Sequence, residues 1–203
     1  MNCSFAIAAS AVLAPGETPD VSFVEPMVRR RLSPLQKIYF ALANKVGGAP
    51  LSAVFASRDG EDSLTRRIVD DFHEDGSVSP HRFSASVYNA APGLWSVRTA
   101  NRSPYTAIAS GDDSIEAGLL EALWGARPTL YVYAEETGGG YGAAVLLVEK
   151  SGPGSAFACE ARSAAGYSGD GRLAFSDWTD LVSGRRESVR CRWISLSRVR
   201  SAD

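Results

Sequence analysis

The sequence predicts an α/β protein in which amphipathic helices cover a central sheet that is mostly parallel. Apolar segments with strand character alternate with helical segments through the first two thirds of the chain, a pattern typical of layered α/β folds. Residues 129–134 and 143–149 are continuous apolar runs, as expected for strands that are covered on both faces. The length of 203 residues is enough for one domain with a substantial core.

The first elements are a strand and a helix with a clear start signal. Residues 4–14 are apolar and predict strand one, followed by a loop over 15–31. Ser33 is a preferred N-cap and Pro34 a preferred first helical residue, so a helix is predicted over 34–46. Apolar residues recur along it at helical spacing and predict one buried face: Leu35, Ile38, Tyr39, Leu42 and Val46.

The middle of the chain continues the alternation of strands and helices. The predicted elements are a strand over 51–57, a helix over 61–75, a helix that starts at Ser79-Pro80 and runs within 81–97, a strand over 105–109 and a helix from Ile115. The helix over 61–75 is predicted from the spacing of its apolar residues, Leu64, Ile68, Val69 and Phe72.

The glycines at 138–142 separate the two clearest strands, 129–134 and 143–149, and favour an antiparallel pairing between them. These glycines precede a strand, whereas a dinucleotide-binding loop leads from a strand into a helix, so they do not predict a phosphate site. Further on, Val189, Cys191 and Trp193 alternate with polar residues and predict an edge strand.

The composition excludes several classes of function. The chain has 21 basic and 23 acidic residues, so it lacks the positive field that attracts nucleic acid or anionic lipid. Cys3, Cys159 and Cys191 are too widely spaced to predict a zinc motif or a disulfide framework. The apolar run over 5–14 has no basic residue before it and is too short to span a bilayer. We therefore expect a cytoplasmic protein with reduced thiols and without a metal or cofactor.

The turn within TAIASGDDSIEAG (106–118) is the best candidate for a site, because a strand leads through it into a helix. One interpretation makes Asp112 or Asp113 the N-cap of that helix, and Asp is a preferred residue there. The other makes the turn functional, and Ser110 or Ser114 could then be the nucleophile of an acyl hydrolase or acyltransferase. The two histidines, His73 and His81, have no spacing partner that predicts a metal site.

Several stretches, in order along the chain, resemble β-ketoacyl synthases, and in particular the short, chain-length-factor-like proteins that accompany true ketosynthases in aryl polyene pigment clusters. They are APG (14–16), RRRLSPL (29–35), VFASRDGE (54–61), FSASVYNAAPG (83–93) and ASGDDSIEAGLLEA (109–122). The resemblance implies a thiolase-like N-terminal half over 1–150, with 151–203 as a loosely matching C-terminal extension of the same domain. One departure is Ser86-Val87-Tyr88-Asn89, where related proteins have Ser-Val-His-Asn.

The resemblance also implies that this chain does not catalyse condensation. An alignment without gaps from Asn89 places Asp112 where the family has its nucleophilic cysteine, after Ser110 and Gly111 and before Asp113. In the family, two histidines and a lysine from the second half of the fold complete the site, and this chain resembles the first half. A carboxylate cannot form the acyl thioester that a thiolate forms.

The implied role is that of a non-catalytic subunit that partners an active ketosynthase, and with it an acyl carrier protein, in fatty acid or aryl polyene type biosynthesis. The alternatives are the serine hydrolase described above and a stand-alone structural homodimer. The candidates for the partner surface or the acyl tunnel are Phe83, Val87, Tyr88, Asn89, Leu94 and Trp95. Four of them could equally be ordinary core residues, because buried aromatic and aliphatic side chains usually serve packing: Phe83, Val87, Leu94 and Trp95.

Overall fold

A computed structural model of the chain describes residues 2–47, 51–125, 128–149, 155–161 and 171–199. Eight strands form a single sheet: β1 (Asn2–Leu13), β2 (Ser52–Ala56), β3 (Tyr105–Ile108), β4 (Thr129–Glu135), β5 (Tyr141–Val148), β6 (Ser155–Ala161), β7 (Ser188–Arg190) and β8 (Ile194–Arg198). Their order in the sheet is β3-β2-β4-β5-β1-β6-β8-β7, so β3 and β7 lie at its two edges.

The prediction of a mostly parallel sheet is wrong. Among the described strands, β2 pairs in parallel with β3 and with β4, and the other five neighbouring pairs are antiparallel. Parallel neighbours need a long crossover, and the helices that supply one lie between β2 and β4. By contrast, β4 and β5 are joined by a tight turn, which confirms the predicted antiparallel pairing.

Seven helices are described: α1 (Pro26–Arg29), α2 (Pro34–Val46), α3 (Asp62–Asp75), α4 (Pro80–Ser86), α5 (Ala90–Arg98), α6 (Ser114–Trp124) and α7 (Phe175–Val182). The start predicted for α2 is confirmed, because Ser33 and Gln36 form a reciprocal capping box. The single helix predicted after Ser79 is instead two, α4 and α5, because Val87 is extended.

Helices cover both faces of the sheet and create two apolar clusters. On one face, α2 and α5 pack against β2, β4 and β5, with Tyr39, Phe55 and Trp95 in contact. On the other, α6 and α7 pack against the sheet through residues such as Leu119 and Trp178. The layered α/β architecture predicted from the sequence is therefore confirmed, and both faces of β4 are buried.

Three of the described helices, α1, α3 and α4, have no fully buried residue, and α3 is the longest of them. Its predicted apolar stripe lies partly in solvent, and Phe72 is 55% exposed. None of the helices in the described part of the chain combines the length and the apolar character that a membrane span requires.

Candidate functional site

The parallel part of the sheet brings three loops together at the carboxyl ends of its strands. Because β2, β3 and β4 run in the same direction, their carboxyl ends meet there. These ends are followed by Ser57, by Ala109 and by Glu136. In open α/β sheets ligands and catalytic groups are usually placed at the carboxyl ends of the strands. The turn predicted from the sequence lies at such an end, but the strand before it, β3, is an edge strand and not a central one.

The turn after β3 is held by a serine. Gly111 has a positive φ of 55°, which glycine adopts readily, and a single 3-10 turn over Gly111–Asp113 leads into α6. The Ser114 hydroxyl accepts a hydrogen bond from the Ser110 amide at 3.0 Å and donates one to the Gly111 carbonyl at 2.6 Å. Asp113 is the N-cap residue of α6, one of the two positions predicted, but its side chain makes no capping hydrogen bond to the helix.

The side chain of Asp112 lies between two arginines. One carboxylate oxygen is 2.6 Å from Nη1 of Arg172, and the other is 3.5 Å from Nη1 of Arg58. Arg58 also forms an ion pair with its neighbour Asp59. Asp112 is about half exposed, so these ion pairs position the carboxylate more than they stabilise the fold.

The C-terminal part of the chain closes one side of the turn through Glu116. This buried carboxylate accepts hydrogen bonds from the amides of Leu173 at 2.8 Å and Trp193 at 3.1 Å. Burial raises the pKa of Glu116, while the two amides act in the opposite direction. The Trp193 indole N–H also donates to Asp113 at 3.4 Å. Residues 171–193 are thereby attached to the start of α6.

Glu135, at the end of β4, holds the loop that follows β2. Its buried carboxylate accepts hydrogen bonds from the Ser57 hydroxyl at 3.0 Å, from the Asp59 amide at 3.3 Å and from the Arg58 amide. Burial raises the pKa of Glu135, and these donors offset part of the rise. The loop that carries Arg58 is therefore fixed by its backbone to the end of β4.

Tyr88 connects the ends of β2 and β3. Its hydroxyl accepts a hydrogen bond from the Ser57 amide at 3.0 Å, and the carbonyl oxygens of Ser57 and Ile108 lie within hydrogen-bond distance of it. Burial raises the pKa of Tyr88 to about 12, so the phenol stays protonated at neutral pH.

The chemical groups gathered here are carboxylates, arginines and a phenol. In the described part of the chain no cluster of His, Cys, Asp and Glu could hold a metal ion. His73 lies on α3 and His81 on α4, and both side chains are in solvent. The arrangement offers Asp112 neither a thiol partner nor an imidazole among the contacts of its own side chain.

Comparison with known proteins identifies the family. The sequence profile of the family described as "Beta-ketoacyl synthase, N-terminal domain" matches residues 7–161, which is well over half of the chain. This chain belongs to the β-ketoacyl synthase N-terminal domain family. No curated protein matches the sequence.

A solved structure has the same fold as this ketosynthase-like chain. It is the ketosynthase ApeO in complex with its chain length factor ApeC from Xenorhabdus doucetiae. The match has a TM-score of 0.77 and covers 97% of this chain and 100% of that one, at 19% sequence identity. This similarity establishes the thiolase-like fold that the sequence resemblance implied.

The six residues predicted to form a partner surface or an acyl tunnel differ in how exposed they are. Phe83, Val87, Asn89 and Leu94 are exposed, and Phe83 is 59% exposed. Tyr88 is half-buried in the network described above. Trp95 is 5% exposed and belongs to the core between α2 and α5, the ordinary packing role that the sequence left open.

Asn89 and Leu94 line an open cavity of about 460 Å³ that extends to Tyr105, at the start of the edge strand β3.

Four residues of the site were not found from the sequence: Arg58, Glu116, Glu135 and Arg172. Glu135 had a usable signal, since an acidic residue directly after a continuous apolar strand is placed at a strand end. Arg172 had none, because it is 60 residues from Asp112 in the chain and meets it only in the folded protein.

Proposed function

We propose that this member of the β-ketoacyl synthase family is a non-catalytic, chain-length-factor-like subunit. It docks on an active ketosynthase and helps to set the length of the acyl chain in fatty acid or aryl polyene type biosynthesis. The observation that carries the proposal is Asp112, which occupies the position equated with the nucleophile and is held between Arg58 and Arg172.

This arrangement is chemically unsuited to condensation. The reaction begins with a thiolate that takes up the acyl group, and a carboxylate in two ion pairs offers no comparable nucleophile. Both histidines of the chain lie on α3 and α4, outside the hydrogen bonds and ion pairs of Asp112. In the proposed complex, the active ketosynthase receives the acyl group from the carrier protein, and this chain shapes the space into which the product grows.

A partner surface is supported by the apolar residues on α4, α5 and β3. Phe83, Val87 and Leu94 are exposed, and Val97 is 78% exposed. The adjacent strand β3 is an edge strand, with Tyr105 at its exposed start. Open strand edges and contiguous apolar patches both favour association with another chain. The proposal is also supported by the solved structure with the same fold, which is a complex of a ketosynthase with its chain length factor.

The first test concerns the nucleophile position. We expect Asp112→Cys to remain without condensing activity, because a thiol alone lacks the imidazoles that the reaction requires. The variant should fold like the wild type, since exposed ion pairs contribute only ~0–1 kcal/mol. The measurement is turnover of acyl and malonyl carrier-protein substrates by the isolated chain, with Asp112→Asn as the control. Condensation product from Asp112→Cys alone would contradict the proposal.

The second test concerns the partner surface. We expect Phe83→Ser to weaken binding to the cognate ketosynthase about 10-fold or more, because it removes an exposed apolar anchor. Trp124→Ser is the matched control, since Trp124 is 77% exposed at the end of α6 on the opposite face of the sheet. Titration by isothermal calorimetry measures both. Equal losses in the two variants would show that α4 does not form the interface.

The hydrolase alternative receives little support from the geometry. The Ser114 hydroxyl is buried, and its hydrogen-bond partners among the described residues are the Ser110 amide and the Gly111 carbonyl, neither of which is a base that could activate it. Ser110 is exposed, and its backbone makes two hydrogen bonds: its amide donates to the Ser114 hydroxyl, and its carbonyl accepts from the Asp113 amide. A fluorophosphonate probe should therefore leave both serines unlabelled. The homodimer alternative is tested by measuring the mass of the purified chain in solution, alone and mixed with the ketosynthase. A dimer that does not bind the ketosynthase would favour it.

A further inference from the structure

Two of the three cysteines are cross-strand neighbours, although they are far apart in the sequence. β1 and β6 pair antiparallel, and Cys3 is directly opposite Cys159 in their register. Directly opposed residues in an antiparallel pair have Cα atoms about 4.5 or 5.5 Å apart. Both spacings fall within the roughly 4.4–6.8 Å over which a disulfide can form. The backbone therefore already holds this pair at bonding distance.

The side chains of the pair point to the same face of the sheet. Phe5 and Phe157 form the next opposed pair on that face, and their rings stack with centroids 5.4 Å apart. Cys159 belongs to the apolar cluster on that face, and Cys3 packs against the same cluster. The stacked phenylalanines show that side chains in this register do meet across β1 and β6, so the two thiols are neighbours.

The third cysteine has a different environment. Cys191 is buried beyond β7, where its amide bonds to Ile194. Burial, followed by the nearby Glu116 carboxylate, raises the pKa of the Cys191 thiol to about 12. Because the thiolate is the reactive form, Cys191 exchanges poorly with disulfides at neutral pH. Oxidation should therefore spare Cys191, whereas Cys159, although buried, lies directly opposite the more accessible Cys3.

We propose that Cys3 and Cys159 form a reversible disulfide site that exchanges with a low-molecular-weight disulfide of the glutathione class. The half-buried Cys3 is the accessible thiol of the pair, and Cys159 is buried. The Cys3 thiolate attacks one sulfur of glutathione disulfide, which forms a mixed disulfide and releases one glutathione thiolate. The Cys159 thiolate then attacks the Cys3 sulfur, forms the intramolecular bond and releases the second. Two protein thiols lose two electrons, the oxidant gains them, and the two protons pass to the two glutathione molecules.

The physical consequence is a covalent link between the first strand and the C-terminal part of the sheet. β1 and β6 are neighbours at the junction between β5 on one side and β8 on the other. A bond between residues so distant in sequence removes much of the conformational freedom of the unfolded chain. We expect the oxidised form to have a melting temperature higher by about 5 °C or more than the reduced form.

The test counts thiols in the full chain before and after oxidation. The protein is incubated with excess glutathione disulfide, denatured and alkylated, and the labelled cysteines are identified by peptide mass spectrometry. The wild type should fall from three labelled cysteines to one, with a linked peptide that joins Cys3 and Cys159. Cys191→Ser, the control, should fall from two to none and show the same linked peptide. Cys3→Ser should form no intramolecular bond.

The proposal is overturned by either of two results. One is that the folded wild type keeps all three thiols under these conditions. The other is that the bond found involves Cys191 or joins two molecules. Reduction with dithiothreitol must restore three thiols and the lower melting temperature, and an irreversible change would also count against the site. None of these outcomes depends on whether the chain binds a ketosynthase.

Discussion

Trp95→Ala should lower the free energy of unfolding by about 3–5 kcal/mol, the range for removing a large buried aromatic side chain. Trp95 is 5% exposed, and its ring packs edge-on against Phe40 with centroids 5.2 Å apart. Its ring centroid is also 6.4 Å from that of Tyr39 and 6.4 Å from that of Phe23. The substitution leaves a cavity between α2 and α5 that these rigid rings cannot fill. Urea unfolding followed by circular dichroism measures the loss.

The matched control is Phe83→Ala, in the same region but on the surface. Phe83 is 59% exposed, so its removal should change the free energy of unfolding by less than about 0.5 kcal/mol. The two variants separate a core role from an interface role, because only Phe83→Ala should weaken ketosynthase binding without loss of stability. If Trp95→Ala unfolded at the wild-type urea concentration, the position of Trp95 in the core would be wrong.

The sequence identified elements whose causes are local. Helix α2 was predicted with the correct bounds because the Ser33 cap, the following proline and the spacing of Leu35 and Ile38 all lie within the helix itself. The resemblance to the ketosynthase family was also confirmed, since the family profile matches residues 7–161 and the motifs that carry the resemblance are spread in order from residue 14 to residue 122. The sequence is therefore sufficient to predict an element whose boundaries are determined by residues within or next to it.

Features that depend on distant residues could not be predicted in the same way. The direction of the strands depends on which connections cross the sheet, and apolar runs such as 143–149 are alike in parallel and antiparallel sheets. The spacing of apolar residues in α3 predicted a helix correctly, but periodicity alone does not say whether a second layer covers those residues. The same limit applies to Trp95, whose burial is decided by Phe40 and Tyr39 on another helix.

The turn that carries Asp112 is held by a network of charged and polar groups. At the position equated with the nucleophile stands Asp112, whose charge is balanced by Arg58 and Arg172. Both arginines are supported by buried acids, since Glu135 binds the backbone amide of Arg58 and Glu116 binds the amide next to Arg172. The proposed loss of catalysis is thus accompanied by a polar network that holds the turn rigid, which suits a subunit that shapes a partner's tunnel.

Glu116→Ala should destabilise the protein by about 2–6 kcal/mol, because two amides lose their acceptor and each costs roughly 1–3 kcal/mol. The two amides are those of Leu173 and Trp193. Hydrogen exchange should show that both lose protection, while Glu121→Ala, at an exposed position of the same helix, should leave them unchanged. Retained protection in Glu116→Ala would contradict this account of how residues 171–193 are attached to α6.

Glu116→Gln adds a pH dependence to this test. Its amide oxygen can still accept from one of the two amides, so the loss at neutral pH should be about half that of Glu116→Ala. Burial raises the pKa of Glu116, so between the ordinary and the raised pKa the folded state binds more protons than the unfolded state. The stability from this group is then fully present in acid, below the ordinary glutamate pKa, and decreases as the pH rises through the raised value. The difference in free energy of unfolding between the wild type and Glu116→Gln should therefore decrease with increasing pH. A difference that increased with pH would mean that the fold favours the ionised form of Glu116.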